Sequence, residues 1–387
     1  MGYTAVIDSF KAYADGNKIV YASDCDSTKD KYAVKVSLAD SDGTAVGTEQ
    51  TNAAGSFDNL EVGKYKITAT LSDGTTEKKK VEKTINIKNL DDMSAYLFVH
   101  FVDTQEDATR EQIYFSVSKD GKTWTTLNNK QPYLTSNVGT QGVRDPYILR
   151  GEDGKFFIIA TDLSVYNLKN NWTAAAQQGS KSIVVWESSD LVNWSEASLV
   201  KINNDNAGCT WAPEACYDPE KDEYMVFWAS VVSDDSYQKY RIYRSYTKDF
   251  KTFSAPELYI EEPNAVIDTT IIDHEGTYYR FTKNEAKSSI TMQECTSLSG
   301  DWKDVANYNL GSMTGYEGPT IYKLNGKNEW CLLLDYFSKS KGYKPFVTTD
   351  ITKGEFTADS DFSFDGTYRH GTVMPITQAE YERLTAE

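Results

Sequence analysis

One short motif recurs along this chain of 387 residues, and it restricts the possible folds more than any other feature. The clearest copies are Ser118-Lys119-Asp120-Gly121-Lys122-Thr123-Trp124 and Ser188-Ser189-Asp190-Leu191-Val192-Asn193-Trp194. Looser copies lead to the aromatic residues Phe253, Trp302 and Phe356. Each copy follows a run with the alternation typical of a β-strand, and an Asp-containing turn between such runs indicates a hairpin. We therefore predict five copies of one antiparallel strand unit.

Five repeated strand units predict an all-β, five-bladed β-propeller, because units arranged around an axis leave few exposed strand edges. The repeat of roughly 50–70 residues is longer than the usual propeller repeat, which inserted loops would explain. A large β-sandwich of unrelated hairpins is the alternative. The 26 Tyr, 16 Phe and 8 Trp residues favour β structure, and a helical pattern is confined to residues 378–384.

The first 92 residues predict a separate β domain. Alternating runs at residues 32–38 and 64–70 are separated by turn signals such as Asp42-Gly43 and Asp73-Gly74. Short strands over about 90 residues suit a small immunoglobulin-like β-sandwich. The predicted domains are therefore residues 1–92 and the propeller at residues 93–387. The first domain contains no cluster of candidate catalytic residues, so we expect it to have an accessory role.

Charge and cysteine content exclude several classes of function. The 40 basic and 57 acidic residues give a net charge of −17, which repels nucleic acid and anionic membrane surfaces. No apolar run approaches membrane-spanning length, so we expect no membrane insertion. The five cysteines are scattered and odd in number and predict no disulfide framework. With only three histidines they also predict no zinc site.

The first residues bear on localisation. Met1-Gly2 precedes a polar stretch, and no signal peptide is recognisable. We expect an extracellular or cell-surface protein whose export signal has been removed. A cytoplasmic protein would begin in the same way, so both interpretations stay open.

Three short acidic motifs stand before strand-like apolar runs of the repeated units. They are Arg144-Asp145-Pro146, Ile267-Asp268-Thr269-Thr270 and Tyr316-Glu317-Gly318-Pro319. Carboxylates at matching points of successive units converge only if the units surround a common axis. Acidic residues at the hub of such a ring are typical of a sugar-cleaving site.

Glycoside hydrolysis with inversion assigns a role to each acid. One carboxylate deprotonates water, and one carboxylic acid at roughly 6.5–9.5 Å protonates the leaving oxygen. Asp145 lies between Arg144 and Pro146, and a carboxylate near a fixed cation stays ionised, as a base requires. Glu317 suits the acid, which must hold its proton near neutral pH. Asp268 is predicted to raise the pKa of that acid by charge repulsion.

These motifs together resemble glycoside hydrolase family 43, a group of five-bladed propeller enzymes that act on arabinan and xylan. The resemblance covers approximately residues 95–376. It implies that Asp145 is the base, Asp268 the modulator of the pKa and Glu317 the acid. Thr210-Trp211-Ala212-Pro213-Glu214 is similar to the second-blade signature, and Arg369-His370-Gly371 to the fifth-blade motif. The histidine of that motif helps to hold a calcium ion in several relatives.

Further residues are predicted to support the site. We expect substrate contacts from Trp211, Asp162, Glu214 and Arg369. The alternatives are blade packing for Trp211, loop or turn capping for Asp162 and Glu214, and an ion pair at the hub for Arg369. His370 is a candidate ligand of a structural calcium at the hub, and no cofactor is expected to be required. Trp124, Trp194 and Trp302 belong to the repeat and are assigned to blade packing.

The expected function is that of an inverting, exo-acting α-L-arabinofuranosidase on plant cell-wall polysaccharide or oligosaccharide. β-Xylosidase and galactan-directed exo-glycosidase activities are the alternatives within the family. A non-catalytic carbohydrate-binding propeller is an alternative of another class. A retaining enzyme of the invertase and levansucrase type would use a Glu-Cys pair such as Glu294-Cys295, but its Asn-Asp-Pro nucleophile motif is missing.

Overall fold

A computed structural model describes residues 9–23, 33–73, 76–88, 93–102 and 107–386. Apart from two short α-helices and five 3-10 turns, the regular structure in these ranges is β, which confirms the predicted all-β class. The helices are α1 (Trp172–Gln177) and α2 (Gln378–Thr385), and the second confirms the predicted C-terminal helix. Neither helix in the described part has the length and apolar composition needed to cross a membrane.

The N-terminal part forms two antiparallel three-stranded sheets with a shared hydrophobic core. One has the order β1-β2-β4 and the other β3-β5-β6. The strands are β1 (Lys11–Asp15), β2 (Lys18–Ala22), β3 (Ala33–Asp40), β4 (Ala54–Phe57), β5 (Gly63–Ser72) and β6 (Glu77–Ile87). In β3 the buried residues Val34, Val36 and Leu38 alternate with exposed ones, so one face of the sheet points into the core.

The predicted turn at Asp42-Gly43 is present. Gly43 has φ 82°, and the Asp40 carboxylate accepts hydrogen bonds from the backbone of Asp42 and Thr44. The predicted domain boundary and part of the Asp73-Gly74 turn lie outside the described residues. The immunoglobulin-like assignment of these sheets stays a prediction.

The remaining strands form five sheets. The first four are continuous in sequence and antiparallel. The first sheet consists of β10 (Val143–Arg150), β11 (Phe156–Asp162), β12 (Ser182–Ser188) and β13 (Ser198–Lys201). The second consists of β14 (Trp211–Asp218), β15 (Glu223–Ser230), β16 (Arg241–Thr247) and β17 (Glu257–Ile260). The third consists of β18 (Val266–His274), β19 (Thr277–Asn284), β20 (Ser289–Cys295) and β21 (Lys303–Asp304), and the fourth of β22 (Glu317–Lys323), β23 (Trp330–Asp335), β24 (Tyr343–Thr348) and β25 (Thr357–Ala358).

The fifth sheet combines the two ends of this region. Its order is β26 (Ser363–Phe364), β9 (Thr123–Thr126), β8 (Tyr114–Ser118), β7 (Met93–Phe101) and β27 (Arg369–Thr377). We call β10, β14, β18, β22 and β27 the inner strands. They contact one another in the cyclic order β27, β10, β14, β18, β22 and again β27. The starts of all five inner strands are thereby brought to one end of a common centre.

The repeated motif forms the turn between the third and fourth strands of the sheets. In the first sheet, the Ser188 hydroxyl accepts from the backbone N–H of Leu191, and Asp190 accepts from those of Val192 and Asn193. Ser118 with Asp120, and Thr247 with Asp249, make the same bonds. The motif recurs because a short polar side chain satisfies backbone donors that the turn leaves unpaired.

The N-terminal sheets contact the end of the five sheets that lies away from the starts of the inner strands. Lys83 is 2% exposed and donates to the Thr296 carbonyl oxygen at 2.7 Å, with the Glu220 carboxylate at 3.4 Å. Lys64 pairs with Asp222 at 2.6 Å. These partners follow inner or third strands at the end of the sheets that lies opposite the starts of the inner strands. The N-terminal part is therefore remote from those starts.

Replacing Lys83 by Met is expected to lower the free energy of unfolding by about 2 kcal/mol, because a partly buried carbonyl and a carboxylate lose their partner. Urea unfolding measures the change. Lys80→Met is the matched control, since Lys80 lies on the same strand but is largely exposed and pairs only locally with Glu82. Equal stability of the two variants would contradict the structural role of Lys83.

Candidate active site

Four inner strands carry the same backbone irregularity near their first residues. The strand register shifts there, and one residue at each shift is left-handed, with φ 48° at Asp145, 46° at Ala212, 48° at Asp268 and 50° at Gly318. A β-bulge re-aims side chains, and non-glycine residues with positive φ concentrate at functional sites. The bulges thus explain how side chains of separate sheets meet at the centre.

Glu317 does not occupy the same position as the two aspartates. Gly318 is the left-handed residue of its strand, so Glu317 corresponds to Arg144 and Ile267. The prediction of matching points is therefore correct for Asp145 and Asp268 and wrong by one residue for Glu317. Its longer side chain reaches the centre from the position before the bulge.

His370 joins the two aspartates. Its Nδ1 lies 3.4 Å from Asp145 Oδ1 and 3.8 Å from Asp268 Oδ2. Burial alone would lower the pKa of His370, but the charges of Asp268 and Asp145 outweigh it and raise the pKa to about 10. The ring is therefore a cation near neutral pH. Gly318 makes room for it, because a Cβ there would lie 2.7 Å from His370 Cγ.

Asp145 is held as a carboxylate. Burial raises the pKa of Asp145, but the hydrogen bond and charge of His370, together with the Arg144 charge, bring it below its usual value. The Thr161 hydroxyl donates to Asp145 Oδ2 at 2.9 Å and itself accepts from the Ala212 N–H at 2.7 Å. These bonds fix the orientation of an ionised acid, which is what a general base requires.

Asp268 is in the opposite electrostatic setting. Burial, and then the negative charge of Glu317, raise its pKa above the usual value, although the charge of His370 opposes them. Asp268 Oδ2 accepts from the Gly318 N–H at 3.0 Å. Asp268 is thereby tied to the backbone of the residue that follows Glu317, and the two carboxylates interact electrostatically.

Two cations hold Glu317. Lys283 Nζ donates to Oε2 at 3.0 Å, and Arg369 Nη2 donates to Oε1 at 3.3 Å. Arg369 Nε also pairs with the fully buried Asp335 at 2.6 Å. Of the two predicted roles of Arg369, the hub ion pair is present. Glu317 remains partly exposed, with 22% of its side chain accessible, so a ligand can reach it.

Asp162 and Glu214 are less accessible than their predicted substrate contacts require. Asp162 is 4% exposed and accepts from the N–H of Thr140 at 2.7 Å and from its hydroxyl at 2.9 Å, which favours the loop-capping alternative. Glu214 is 3% exposed, and burial raises its pKa to about 8. The bonds of Asp162 favour a structural role, whereas contact of either acid with substrate stays a prediction.

Trp211 is partly exposed at the start of β14. Its ring stacks on Tyr240 at 5.4 Å between centroids and meets Trp172 edge-on at 6.2 Å. Trp172 in turn lies 5.4 Å from the Arg144 guanidinium, which pairs with the buried Glu111 at 3.0 Å. Trp211 therefore packs against its neighbours. With Tyr240 and Trp172 it also forms a cluster of aromatic rings beside Asp145, which we call the aromatic wall.

The Nδ1 of His370 faces two carboxylates, which leaves only the other ring nitrogen as a ligand for a cation. The calcium ion at His370 stays a prediction. Within the described ranges, no group of three or more His, Cys, Asp or Glu side chains is arranged to hold a metal ion. The four described cysteines are free.

Three polar residues of this centre were missed by sequence reasoning: Thr161, Lys283 and Asp335. Each lies near the end of the second strand of its sheet, opposite Arg144, Ile267 and Glu317 respectively. A usable signal existed for Thr161 and Asp335, which lie at the ends of largely apolar strands, but not for Lys283, whose strand is mixed in polarity. Only the cross-strand register connects each of them to an acidic motif.

Comparison with known proteins identifies the family. Residues 91–382 match a family described as a probable glycosyl hydrolase domain, related to glycosyl hydrolase family 43. The chain belongs to this family of glycosyl hydrolases. The predicted resemblance, over residues 95–376, is confirmed.

One curated relative is an α-L-arabinofuranosidase of Bifidobacterium longum subsp. longum, 30% identical over 385 residues. The alignment covers 86% of this chain and 35% of the relative, so this glycosyl hydrolase spans about a third of that protein's length. Two solved structures are also similar. An α-L-arabinanase of Cellvibrio cellulosa is 14% identical, with a TM-score of 0.48 and coverage of 73% of this chain and 100% of that one. A GH62 α-L-arabinofuranosidase catalytic domain of Coprinopsis cinerea is 16% identical, with a TM-score of 0.43 and coverage of 59% and 71%.

Proposed function

We propose that this glycosyl hydrolase removes α-L-arabinofuranosyl groups from plant cell-wall polysaccharide or oligosaccharide by an inverting, exo-acting mechanism. The observation that carries the mechanism is the pair of opposed environments around His370. Asp145 is held ionised by two cations, whereas burial and the charge of Glu317 raise the pKa of Asp268 above its usual value. The name of the 30% identical relative supports the choice of arabinofuranoside.

The proposed chemistry follows from these positions. Asp145 takes a proton from a water molecule, whose oxygen attacks the anomeric carbon while the bond to the leaving oxygen breaks. Glu317 donates its proton to that oxygen. Asp268, whose charge interacts with that of Glu317, is the proposed modulator of the acid, and Lys283 with Arg369 orients Glu317. His370 keeps Asp145 and Asp268 close together despite their like charges.

The fold proposal is a five-bladed propeller behind an immunoglobulin-like sandwich. The cyclic contacts of the inner strands and the pairing of β27 with β7 support it, because a propeller joins its last strand to its first blade. We also propose that the enzyme is exported and that it needs no cofactor. Glu294 lies in β20, opposite Tyr279, which gives no support to an invertase-type site.

A substrate panel tests the function. Nitrophenyl α-L-arabinofuranoside, β-D-xyloside and β-D-galactoside are compared with arabinan, arabinoxylan and arabinogalactan. We expect arabinose release, with the β-anomer as the first product by proton NMR. Xylose or galactose as the main product would show that the enzyme acts on a xyloside or a galactoside and not on an arabinofuranoside. A first product of α configuration would exclude inversion, and polymer binding without hydrolysis would favour a binding protein.

Replacing Asp268 by Asn is expected to move the alkaline limb of the pH–rate profile to lower pH. The amide carries no negative charge, so Glu317 loses the neighbour that disfavours its ionisation and is deprotonated earlier as pH rises. The profile of kcat/KM on an oligosaccharide measures the shift. Asp273→Asn is the matched control, because Asp273 is exposed near the distal end of the same strand, away from Glu317. An unchanged limb in Asp268→Asn would reject the modulator role.

A further inference from the structure

The connection between β11 and β12 carries an aromatic residue that the proposed chemistry does not use. Residues 163–181 join these strands at the end where the candidate site lies. The corresponding connections of the next three sheets, at residues 231–240, 285–288 and 336–342, are shorter. Trp172 begins helix α1 in this segment and is 46% exposed. It is the one tryptophan among the large exposed hydrophobic residues of the described part.

The segment is firmly held, so this exposure is not the result of loose packing. Glu111 accepts from the Ser164 hydroxyl and from the backbone N–H of Val165 and Tyr166, each at 3.0 Å. At the other end Gly179 donates to the Gly208 carbonyl at 2.7 Å, and a Cβ at Gly179 would lie 2.3 Å from the Ala175 carbonyl oxygen. Ala175 itself is fully buried. The fold thus presents a large apolar ring to solvent from a fixed helix.

The position of Trp172 links it to the site. The ring lies between the Arg144 guanidinium, 5.4 Å from its centroid, and Trp211, which it meets at 86°. Arg144 precedes the proposed base, and Trp211 precedes the equivalent bulge of the next sheet. Trp172 therefore lies next to residues that flank the proposed base, and almost half of it is open to a ligand.

We propose that Trp172 is a specificity-determining residue that stacks on the sugar from which the arabinofuranosyl group is released. The apolar face of a sugar ring complements a flat aromatic ring, and a fixed ring loses little conformational entropy on binding. Residues 163–181 would then select the polymer, while the central carboxylates act on the terminal group. This inference rests on the proposed function.

The test compares Trp172→Ala on two substrates. An arabino-oligosaccharide has a sugar after the cleaved bond, and α-L-arabinofuranosyl fluoride has none. We expect the kcat/KM on the oligosaccharide to fall about tenfold more than that on the fluoride, mainly through KM. Trp172→Phe is expected to restore most of the loss. Leu199→Ala is the control, because Leu199 is 44% exposed on the outer strand of the same sheet.

Equal losses on both substrates would mean that Trp172 acts on the cleaved sugar or through Arg144, and would overturn the proposal. No loss on the oligosaccharide would also overturn it. A wild-type enzyme that releases no arabinose refutes the proposed function instead. In that case affinity electrophoresis in gels that contain arabinan, arabinoxylan or arabinogalactan tests the stacking role of Trp172 independently of hydrolysis. Retardation of wild type that is weakened in Trp172→Ala supports the stacking role, and equal migration rejects it.

Discussion

Replacing Glu317 by Gln is expected to reduce kcat/KM on an arabino-oligosaccharide by about a thousandfold. The amide keeps the shape of the side chain but has no acidic proton for the leaving oxygen. A dinitrophenyl arabinofuranoside needs little protonation of its leaving group, so its loss is expected to stay within about tenfold.

Glu285→Gln is the matched control for this experiment. Glu285 also pairs with Lys283, at 2.8 Å, but lies after the second strand of its sheet and is 40% exposed. Its replacement removes an acid from the same lysine without removing the proposed proton donor, so both substrates should be affected weakly and equally. Equal large losses on both substrates in Glu317→Gln would show that Glu317 binds substrate and does not act as the acid.

Replacing Asp145 by Asn is expected to lower turnover by about a thousandfold or more while substrate still binds. Asparagine can keep the hydrogen bond from Thr161 but cannot take a proton from water. Azide needs no deprotonation, so its addition is expected to restore part of the turnover and to form the β-arabinosyl azide. Proton NMR of the product identifies the configuration.

Thr161→Val separates the loss of the base from its displacement. This variant removes the hydroxyl that donates to Asp145 and accepts from Ala212, but it leaves the carboxylate in place. A loss of about tenfold without rescue by azide is expected, because the base is present but less well oriented. An α-configured azide from Asp145→Asn would indicate that a nucleophile other than Asp145 forms a glycosyl-enzyme, and inversion would be wrong.

The electrostatics of the centre explain why so many acids can lie together. His370 is a buried cation between Asp145 and Asp268, and Lys283 and Arg369 flank Glu317. Like charges at such distances would otherwise raise the free energy of the folded state. Removing one cation therefore affects several carboxylates together, and variants of His370 are expected to alter both limbs of the pH–rate profile.

The sequence alone predicted the all-β class, the turns at Asp120, Asp190 and Asp249, and the acidic motifs of the site. Local chemistry determines these features: alternation marks a strand, and an Asp that accepts from two backbone N–H groups marks the repeated turn, as Asp190 shows. The family followed from the same motifs. Asp145 and Asp268 could be placed at equivalent positions because each begins an apolar strand in its own repeat.

Only the tertiary structure decided which other residues complete the site. Lys283 reaches Glu317 because β19 pairs with β18 in a given register and the third and fourth sheets are neighbours. Burial likewise depends on packing, so the sequence could not show that Glu214 is enclosed or that Trp172 is exposed. Only the position of the bulge shows that Glu317 stands one residue before it, whereas Asp145 and Asp268 are bulge residues. Register, burial and sheet contacts arise from residues far apart in the chain, and no local pattern specifies them.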